Sequence, residues 1–356
     1  MIFGLTLSSS WANGHATPWR GLLKALHAAG QQVTFFERDV PYYAAHRDLP
    51  APPFCTLALY DTWPPPTAQQ ALAAADVAIV TSYCPDGLAA CQLVLDQPNV
   101  LHVFYDLDTP VTLAALVAHG LAVPNGAHYL TPELIPAFDL YLSFTGGPIL
   151  DELRTRWGAR RTAPLYGSVD PDVHRPVAKP PAAFRCALGY LGTYAADRQP
   201  TLERLLIEPA RARPDEHFCV VGSLYPAAVQ WPPNVTTHWH LEPAAHPAFY
   251  SANRLTLNVT RQAMRTWGFT PSGRLFEAAS CGTPVLSDVW PGLETFFAPG
   301  REILLAETPE EATAALDRDE AEVRRIGQAA RERVLAKHTG AHRADELARA
   351  CEAAAC

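Results

Sequence analysis

Short apolar segments alternate with longer segments of helical periodicity along almost the whole chain. The apolar segments have the length of buried strands, and the longer segments place apolar residues three and four positions apart. This alternation is typical of parallel sheets whose strands are joined by crossover helices. It occurs in two series, and it predicts an α/β protein with two Rossmann-like domains.

Each series predicts six strands. In the first series they are predicted at 2–7, 32–36, 56–60, 77–81, 100–105 and 140–144, with helices at 18–29, 67–75 and 147–157. In the second series they are predicted at 185–191, 218–221, 236–240, 255–259, 284–287 and 303–305. Five prolines at 164–181 interrupt the alternation, because proline cannot continue a regular ladder or helix.

This interruption sets the predicted domain organisation. We expect a first domain at 1–165, a linker at 166–182, a second domain at 183–338 and a C-terminal helix at 339–356 that packs back on the first domain. Ligands of open α/β sheets bind at the carboxyl ends of the strands. The sequence therefore predicts a ligand site in a cleft where the two sheets face each other.

Composition limits the partners. The 356 residues are 48% hydrophobic and carry a formal net charge of −8, with no basic run, which argues against a nucleic-acid groove. No apolar stretch reaches the roughly 18 residues of a membrane span, and the first residues lack a signal-peptide pattern, so we expect a cytoplasmic protein. The eight cysteines lack the spacing of a zinc site.

The segment at 268–299, GFTPSGRLFEAASCGTPVLSDVWPGLETFFAP, is the most informative part of the chain. Ser272 is a good N-cap and Gly282 a natural helix end, which predicts a helix of about nine residues. Because Ser272 and Gly273 are small, an anion such as a diphosphate can approach the free N–H groups of this helix start. Arg274 is in a position to bind the same phosphates, and Glu277 is in a position to accept hydrogen bonds from ribose hydroxyls. The alternative is an exposed ion pair between Arg274 and Glu277.

Three residues of the first domain are candidates for proton transfer. His15, in WANGH, follows the first strand and is a candidate general base or sugar contact. Asp106 and Asp108, in FYDLDTP, end the fifth strand, and either carboxylate can accept a proton if its pKa is raised. The alternatives are a solvated or structural histidine, a DxD metal site on these aspartates, and a structural turn or N-cap at Asp108.

The segments RLFEAASCGTPVLSDVWPGLETFFAPGREIL, GYLGTYAADRQPTLERLL and LNVTRQAM, with the N-terminal SSSWANGHATPWRGLLKALHAAGQQVTFFERDVPYYAAHRD, resemble glycosyltransferases of the GT-B fold. The chain looks most similar to the family of the spore maturation protein CgeB. The resemblance implies a hexosyltransferase-like enzyme that takes a nucleotide sugar, UDP- or dTDP-linked, and a hydroxyl acceptor, with no metal cofactor.

Carried onto this sequence, the resemblance implies a set of residues around the nucleotide sugar. Glu277 would bind the ribose, and Arg274 with the amides of Ser272 and Gly273 would hold the diphosphate. The remaining residues of the set are Gly192, Thr193, Tyr194, Arg198, Asn258 and Arg261. One departure is Phe269, which stands eight residues before Glu277, where many retaining relatives carry the first acid of a paired-glutamate motif.

Two other functions are consistent with the sequence. One is a nucleotide-sugar epimerase on the same fold, which needs no acceptor. The other is a nucleotide- or sugar-binding protein without turnover. A Rossmann oxidoreductase is disfavoured, because no GxGxxG follows the first strand of either half.

Overall fold

The computed structural model describes residues 1–11, 14–119 and 128–355. Its contacts divide the chain into two compact units. Unit 1 comprises Met1–Tyr166, Trp267–Thr270 and Gly340–Cys356, and unit 2 comprises Gly167–Thr266 and Pro271–Thr339. Ala12 and Asn13 of the WANGH segment, and Cys356, lie outside the described residues.

Unit 1 is built on a seven-stranded parallel sheet with the order β3-β2-β1-β4-β5-β6-β7. The strands are β1 (Ile2–Gly4), β2 (Thr34–Arg38), β3 (Thr56–Tyr60), β4 (Val77–Thr81), β5 (Leu101–Asp106), β6 (Leu140–Ser143) and β7 (Thr162–Pro164). The helices between them are α1 (Ala16–Ala28), α2 (Pro41–Ala44), α3 (Ala68–Ala73), α4 (Gly87–Leu95), α5 (Thr109–His119) and α6 (Pro148–Thr155).

Unit 2 is built on a six-stranded parallel sheet with the order β10-β9-β8-β11-β12-β13. The strands are β8 (Cys186–Leu191), β9 (Phe218–Val221), β10 (Val235–His238), β11 (Asn253–Asn258), β12 (Val285–Ser287) and β13 (Leu304–Leu305). The α-helices are α7 (Gln199–Leu202), α8 (Glu208–Ala212), α9 (His246–Ala252), α10 (Gln262–Trp267), α11 (Gly273–Ser280), α12 (Pro309–Leu316) and α13 (Glu320–Lys337), and a π-helical stretch (Glu203–Ile207) joins α7 to α8.

The two parallel sheets confirm the predicted α/β fold class. In each sheet the chain order reverses at one point, between β1 and β4 in unit 1 and between β8 and β11 in unit 2. Loops that leave the carboxyl ends of the strands at such a point diverge to opposite faces, and this leaves room for a ligand. No helix among the described residues combines the length and the apolarity needed to cross a bilayer.

The first strand is shorter than its apolar pattern predicts. It ends at Gly4, and the backbone N–H groups of Leu7 and Ser8 donate to Glu37 Oε2 at 2.7 and 2.9 Å. The buried Glu37 carboxylate also accepts from the hydroxyls of Thr6 and Ser8. The chain therefore leaves the sheet because a carboxylate on β2 binds the donors that would otherwise continue the ladder.

The last helix, α14 (Gly340–Ala355), belongs to unit 1. Its first residue lies against the backbone of α1, since a Cβ on Gly340 would lie 2.5 Å from the carbonyl oxygen of Gly21. Ala344 and Leu347 join the buried cluster that contains Trp19 of α1. The core of unit 1 therefore combines side chains from the two ends of the sequence.

Candidate functional site

The start of α11 lies at the carboxyl edge of the unit 2 sheet. Ser272 occupies the N-cap position, as predicted, but its hydroxyl donates to Asn258 Oδ1 at 2.7 Å and caps no N–H group of the helix. Within the described chain, no side chain accepts from the first turn of α11. The N–H of Leu275 donates to the Ser272 carbonyl at 3.1 Å, so the N–H groups of Gly273 and Arg274 are the ones available to an anion, which the positive end of the helix dipole favours. The helix ends before Gly282, whose φ of +77° suits glycine.

Asn258, at the end of β11, connects the groups at this helix start. Its Oδ1 also accepts from an Arg274 guanidinium nitrogen at 2.9 Å, and its amide donates to Ser287 Oγ at 3.0 Å. Because Asn258 is fully buried and bonded on both sides, it positions Ser272 and Arg274. We call Asn258, Ser272 and Arg274 the Asn258 cluster.

Arg274 depends on Gly192 for its position. Its guanidinium stacks on Tyr190, 4.8 Å from the ring centroid, and its Nε donates to the carbonyl of Leu191 at 2.7 Å. A Cβ on Gly192 would lie 2.6 Å from the Tyr190 hydroxyl and 2.8 Å from a guanidinium nitrogen of Arg274, so a larger residue there would displace both side chains. Among the described residues no carboxylate lies within ion-pair distance of Arg274, so the predicted alternative of an ion pair with Glu277 is wrong.

The other residues of the predicted set lie in loops at the same sheet. The carbonyl of Thr193 accepts from Arg198 at 2.7 Å, and the N–H of Tyr194 donates to the carbonyl of Ser223 at 2.9 Å. Arg261 lies 3.3 Å from the Asp197 carboxylate and is more than one third exposed. Their roles toward a ligand stay predictions.

Glu277 lies one turn into α11 and is only 8% exposed. Its Oε2 accepts from the Tyr250 hydroxyl at 3.1 Å and lies 3.9 Å from His174 Nε2 and 3.8 Å from His246 Nδ1. We call these four residues the Glu277 cluster. Burial raises the pKa of Glu277, but the facing histidines and the tyrosine hydroxyl outweigh it and lower the pKa to about 2. The side chain is therefore a carboxylate at every working pH.

The second carboxylate oxygen of Glu277 faces the start of the helix. A Cβ on Gly273 would lie 3.4 Å from Oε1, and no described residue donates a hydrogen bond to this oxygen. An acceptor oxygen is thus available on the side of the exposed N–H groups, while Oε2 is held from the opposite side. A ligand with an anionic group and a neighbouring diol can bind here, with the anion at the N–H groups and the diol at Oε1.

In unit 1, three side chains meet at the carboxyl edge near the strand-order reversal. His15 follows β1, Tyr83 follows β4 and Asp108 follows β5, and we call them the His15 cluster. His15 Nε2 lies 4.0 Å from Asp108 Oδ2, and the Tyr83 hydroxyl donates to the same oxygen at 2.6 Å. The side chains of His15 and Asp108 are 20% and 16% exposed, so a small molecule can reach both.

Asp106 is enclosed by protein donors. It is fully buried, and its carboxylate accepts from the hydroxyls of Tyr141 at 2.7 Å and Thr112 at 2.9 Å and from the N–H of Asp108 at 3.1 Å. Burial raises its pKa to about 6, although these donors oppose the shift. Its role as a base stays a prediction, but the geometry favours His15 and Asp108 for contact with a substrate.

The raised pKa of Asp106 predicts a pH dependence of stability. Because the folded state binds this proton more tightly than the unfolded state, the stabilisation is present below about pH 4 and is lost as the pH rises through about 6. Across this interval the free energy of unfolding of the unchanged protein is expected to fall by about 3 kcal/mol. The Asp106→Asn variant is expected not to show this decrease. Urea unfolding at several pH values measures it, and an equal decrease in the variant would contradict the assignment.

Several residues of these clusters are not predicted from the sequence. Tyr83, His174, His246 and Tyr250 occur in segments without a motif, and only the fold brings them to the candidate residues. Tyr83 has a φ of +65°, an uncommon conformation for a bulky residue, but nothing in the sequence marks it. Tyr83 does come just after a predicted strand, and a polar residue in that position is a general sign of a site residue.

The comparisons with known proteins agree with this geometry. Residues 198–349 match a family model described as "Glycosyl transferase-like". No curated protein matches the sequence significantly. Among solved structures, a sucrose-phosphate synthase from Thermosynechococcus elongatus superposes with a TM-score of 0.65 at 18% identity, covering 98% of this chain and 96% of that chain. The chain has the GT-B fold.

Two further GT-B structures match over nearly the whole chain. HepE of Anabaena, in complex with UDP and glucose, has a TM-score of 0.68 at 11% identity and covers 99% of this chain and 98% of its own. An alpha-glucosyltransferase in complex with UDP and a 13-mer DNA containing an HMU base has a TM-score of 0.67 at 12% identity, with the same coverage. The family match spans Arg198, Asn258, Arg274 and Glu277, so it includes both clusters of unit 2 at least in part.

Proposed function

We propose that the protein is a glycosyltransferase that moves a hexosyl group from a nucleotide sugar to an acceptor hydroxyl. One observation carries the proposal: an uncapped helix start, an arginine without a carboxylate partner in the described chain and an ionised glutamate meet within the first turns of α11. The helix start and the arginine suit the two phosphates of a nucleoside diphosphate, and the glutamate suits its ribose diol.

Each part of the donor has a proposed partner. The N–H groups of Gly273 and Arg274 and the Arg274 guanidinium bind the diphosphate, and Glu277 Oε1 accepts from the ribose hydroxyls. Because positive charge already faces the phosphates, departure of the nucleoside diphosphate needs no metal ion there. UDP- and dTDP-sugars are the proposed donors, and the UDP bound in HepE and in the alpha-glucosyltransferase supports the first of these.

The proton of the acceptor hydroxyl goes to the His15 cluster in this proposal. His15 Nε2 takes the proton, the acceptor oxygen bonds to the anomeric carbon, and the bond from that carbon to the phosphate oxygen breaks as the nucleoside diphosphate leaves. Asp108 stabilises the imidazolium that forms, and the Tyr83 hydroxyl holds Asp108 in place. Asp106 supports this loop through the N–H of Asp108.

A donor screen tests the proposal against its rivals. We expect UDP or dTDP to raise the melting temperature, because a ligand of the folded state stabilises it by mass action. We then expect the matching nucleotide sugar to release nucleoside diphosphate only when an acceptor is added. Conversion of the nucleotide sugar without acceptor would indicate an epimerase, and binding without turnover over a broad acceptor panel would indicate a binding protein.

The finer assignments rest on the sequence motifs. We propose membership of the CgeB-like family from the C-terminal block at 274–304 and the N-terminal block at 8–48. We also propose a cytoplasmic location. The acceptor is proposed to be a carbohydrate or another small hydroxyl compound, since a net charge of −8 disfavours polyanions.

A further inference from the structure

His174, His246 and Glu277 meet at Oε2 of the Glu277 carboxylate. His174 belongs to the proline-rich segment after Gly167, and His246 is the first residue of α9. One ligand atom from each residue lies within 4.8 Å of the other two. Three different segments of unit 2 thus converge on one point with two imidazoles and a carboxylate.

One ring nitrogen of His246 has no hydrogen-bond partner among the described residues and faces Glu277. Its Nε2 lies 3.1 Å from the carbonyl oxygen of Leu241. Because a carbonyl only accepts, Nε2 carries the proton, and Nδ1 of the neutral ring has a lone pair. Nδ1 is buried, has no donor among the described residues, and faces Glu277 Oε2 at 3.8 Å. Two acceptors that face each other in a buried place require a cation between them.

His174 adds a second unsatisfied imidazole. Its side chain is 1% exposed, and in the part of the chain that the structure describes neither ring nitrogen has a hydrogen-bond partner. An imidazole without hydrogen-bond partners offers the lone pair of one ring nitrogen to a metal ion. Its Nε2 lies 3.9 Å from the same carboxylate oxygen of Glu277. A buried imidazole without partners is costly, and a bound cation satisfies one of its two nitrogens.

We propose that His174, His246 and Glu277 form a binding site for a divalent transition metal of the Zn²⁺ class. Two imidazoles and a carboxylate are a common zinc ligand set with one position open. A His ligand almost always donates its other ring N–H to a carbonyl or a carboxylate, as His246 does to Leu241. Tetrahedral coordination at Zn–N and Zn–O distances near 2.1 Å places ligand atoms about 3.4 Å apart, so small side-chain rotations close the site.

The metal occupies the Oε2 side of Glu277 and leaves Oε1 unchanged. It ties the segment of His174 to α9 and α11 and fixes the carboxylate that the proposed function assigns to the ribose. The two proposals share Glu277 but concern different ligands, so the metal is measured without nucleotide and UDP is measured without metal.

The test is metal binding to the full chain, with any histidine tag removed. We expect one Zn²⁺ per chain by elemental analysis and calorimetry, a d–d absorption typical of tetrahedral Co²⁺ after substitution, and a lower melting temperature in EDTA. His174→Gln and His246→Gln are each expected to weaken Zn²⁺ binding by more than about 100-fold, since loss of a ligand exceeds the effect of its supporting groups.

His102→Gln is the matched control. His102 also faces a backbone carbonyl, of Gln97 at 2.8 Å, and a carboxylate, of Asp139 at 3.1 Å, but it lies in unit 1 outside the described three-ligand group. Its variant is expected to bind Zn²⁺ like the unchanged protein. Absence of stoichiometric Zn²⁺ in the unchanged protein overturns the proposal. Equal loss in all three variants overturns it as well.

Discussion

Glu277→Ala is expected to lower the affinity for UDP by about 100-fold, because the variant loses two charge-assisted hydrogen bonds to the ribose diol. The variant also loses the contacts that Oε2 makes with Tyr250 and the two histidines in the folded state, so affinity and stability are measured separately. Isothermal calorimetry measures the affinity, and thermal unfolding without ligand measures the stability.

Glu302→Ala is the matched control for this variant. Glu302 is also a buried carboxylate of unit 2 with a lowered pKa, held by the guanidinium groups of Arg301 and Arg333. Its removal should reduce the melting temperature and leave UDP affinity unchanged. If Glu277→Ala binds UDP as tightly as the unchanged protein, the ribose assignment is wrong, whereas equal weakening in both variants indicates a general structural effect.

His15→Ala is expected to lower kcat for glycosyl transfer by about 10²- to 10⁴-fold, the usual contribution of a general base. KM for the nucleotide sugar should change little, because the donor is assigned to unit 2 and His15 belongs to unit 1. Steady-state kinetics with acceptor and donor varied separately measure both constants.

Asp106→Asn distinguishes the two candidate bases in the same assay. Because Asp106 is enclosed by Tyr141, Thr112 and the N–H of Asp108, its variant should reduce kcat much less than His15→Ala. A larger loss in Asp106→Asn would assign the proton to Asp106. An unchanged kcat in His15→Ala would show that the acceptor loses its proton without this histidine.

Periodicity predicts the sheets better than their ends. The predicted bounds of β3, β4 and β9 coincide with the observed ones. β4 and β9 are buried apolar runs, whereas β3 is a partly exposed strand at the edge of the sheet. β1 ends early because Glu37, a residue on another strand, binds the next N–H groups. β7 was not predicted, since three residues ending in proline at a sheet edge have no recognisable pattern.

In the candidate site, too, the sequence predicts what depends on local spacing and does not predict what depends on packing between distant segments. Gly273, Arg274 and Glu277 are close in sequence on one helix, so spacing alone placed them on the same turns. His174 and Tyr250 reach Glu277 only through the packing of the proline-rich segment and α9 on α11. Gly192 was predicted to contact a ligand, and its observed contact is with Arg274 and Tyr190, which no local pattern reveals.

The position of α14 has a consequence for how the chain is made. The ribosome synthesises all of unit 2, and the rest of unit 1, before it reaches the helix that completes the core of unit 1. Throughout that time Trp19 and Leu22 of α1 lack the partners that Ala344 and Leu347 supply. Unit 2, whose residues all precede Gly340, is therefore free to fold before the core of unit 1 is complete.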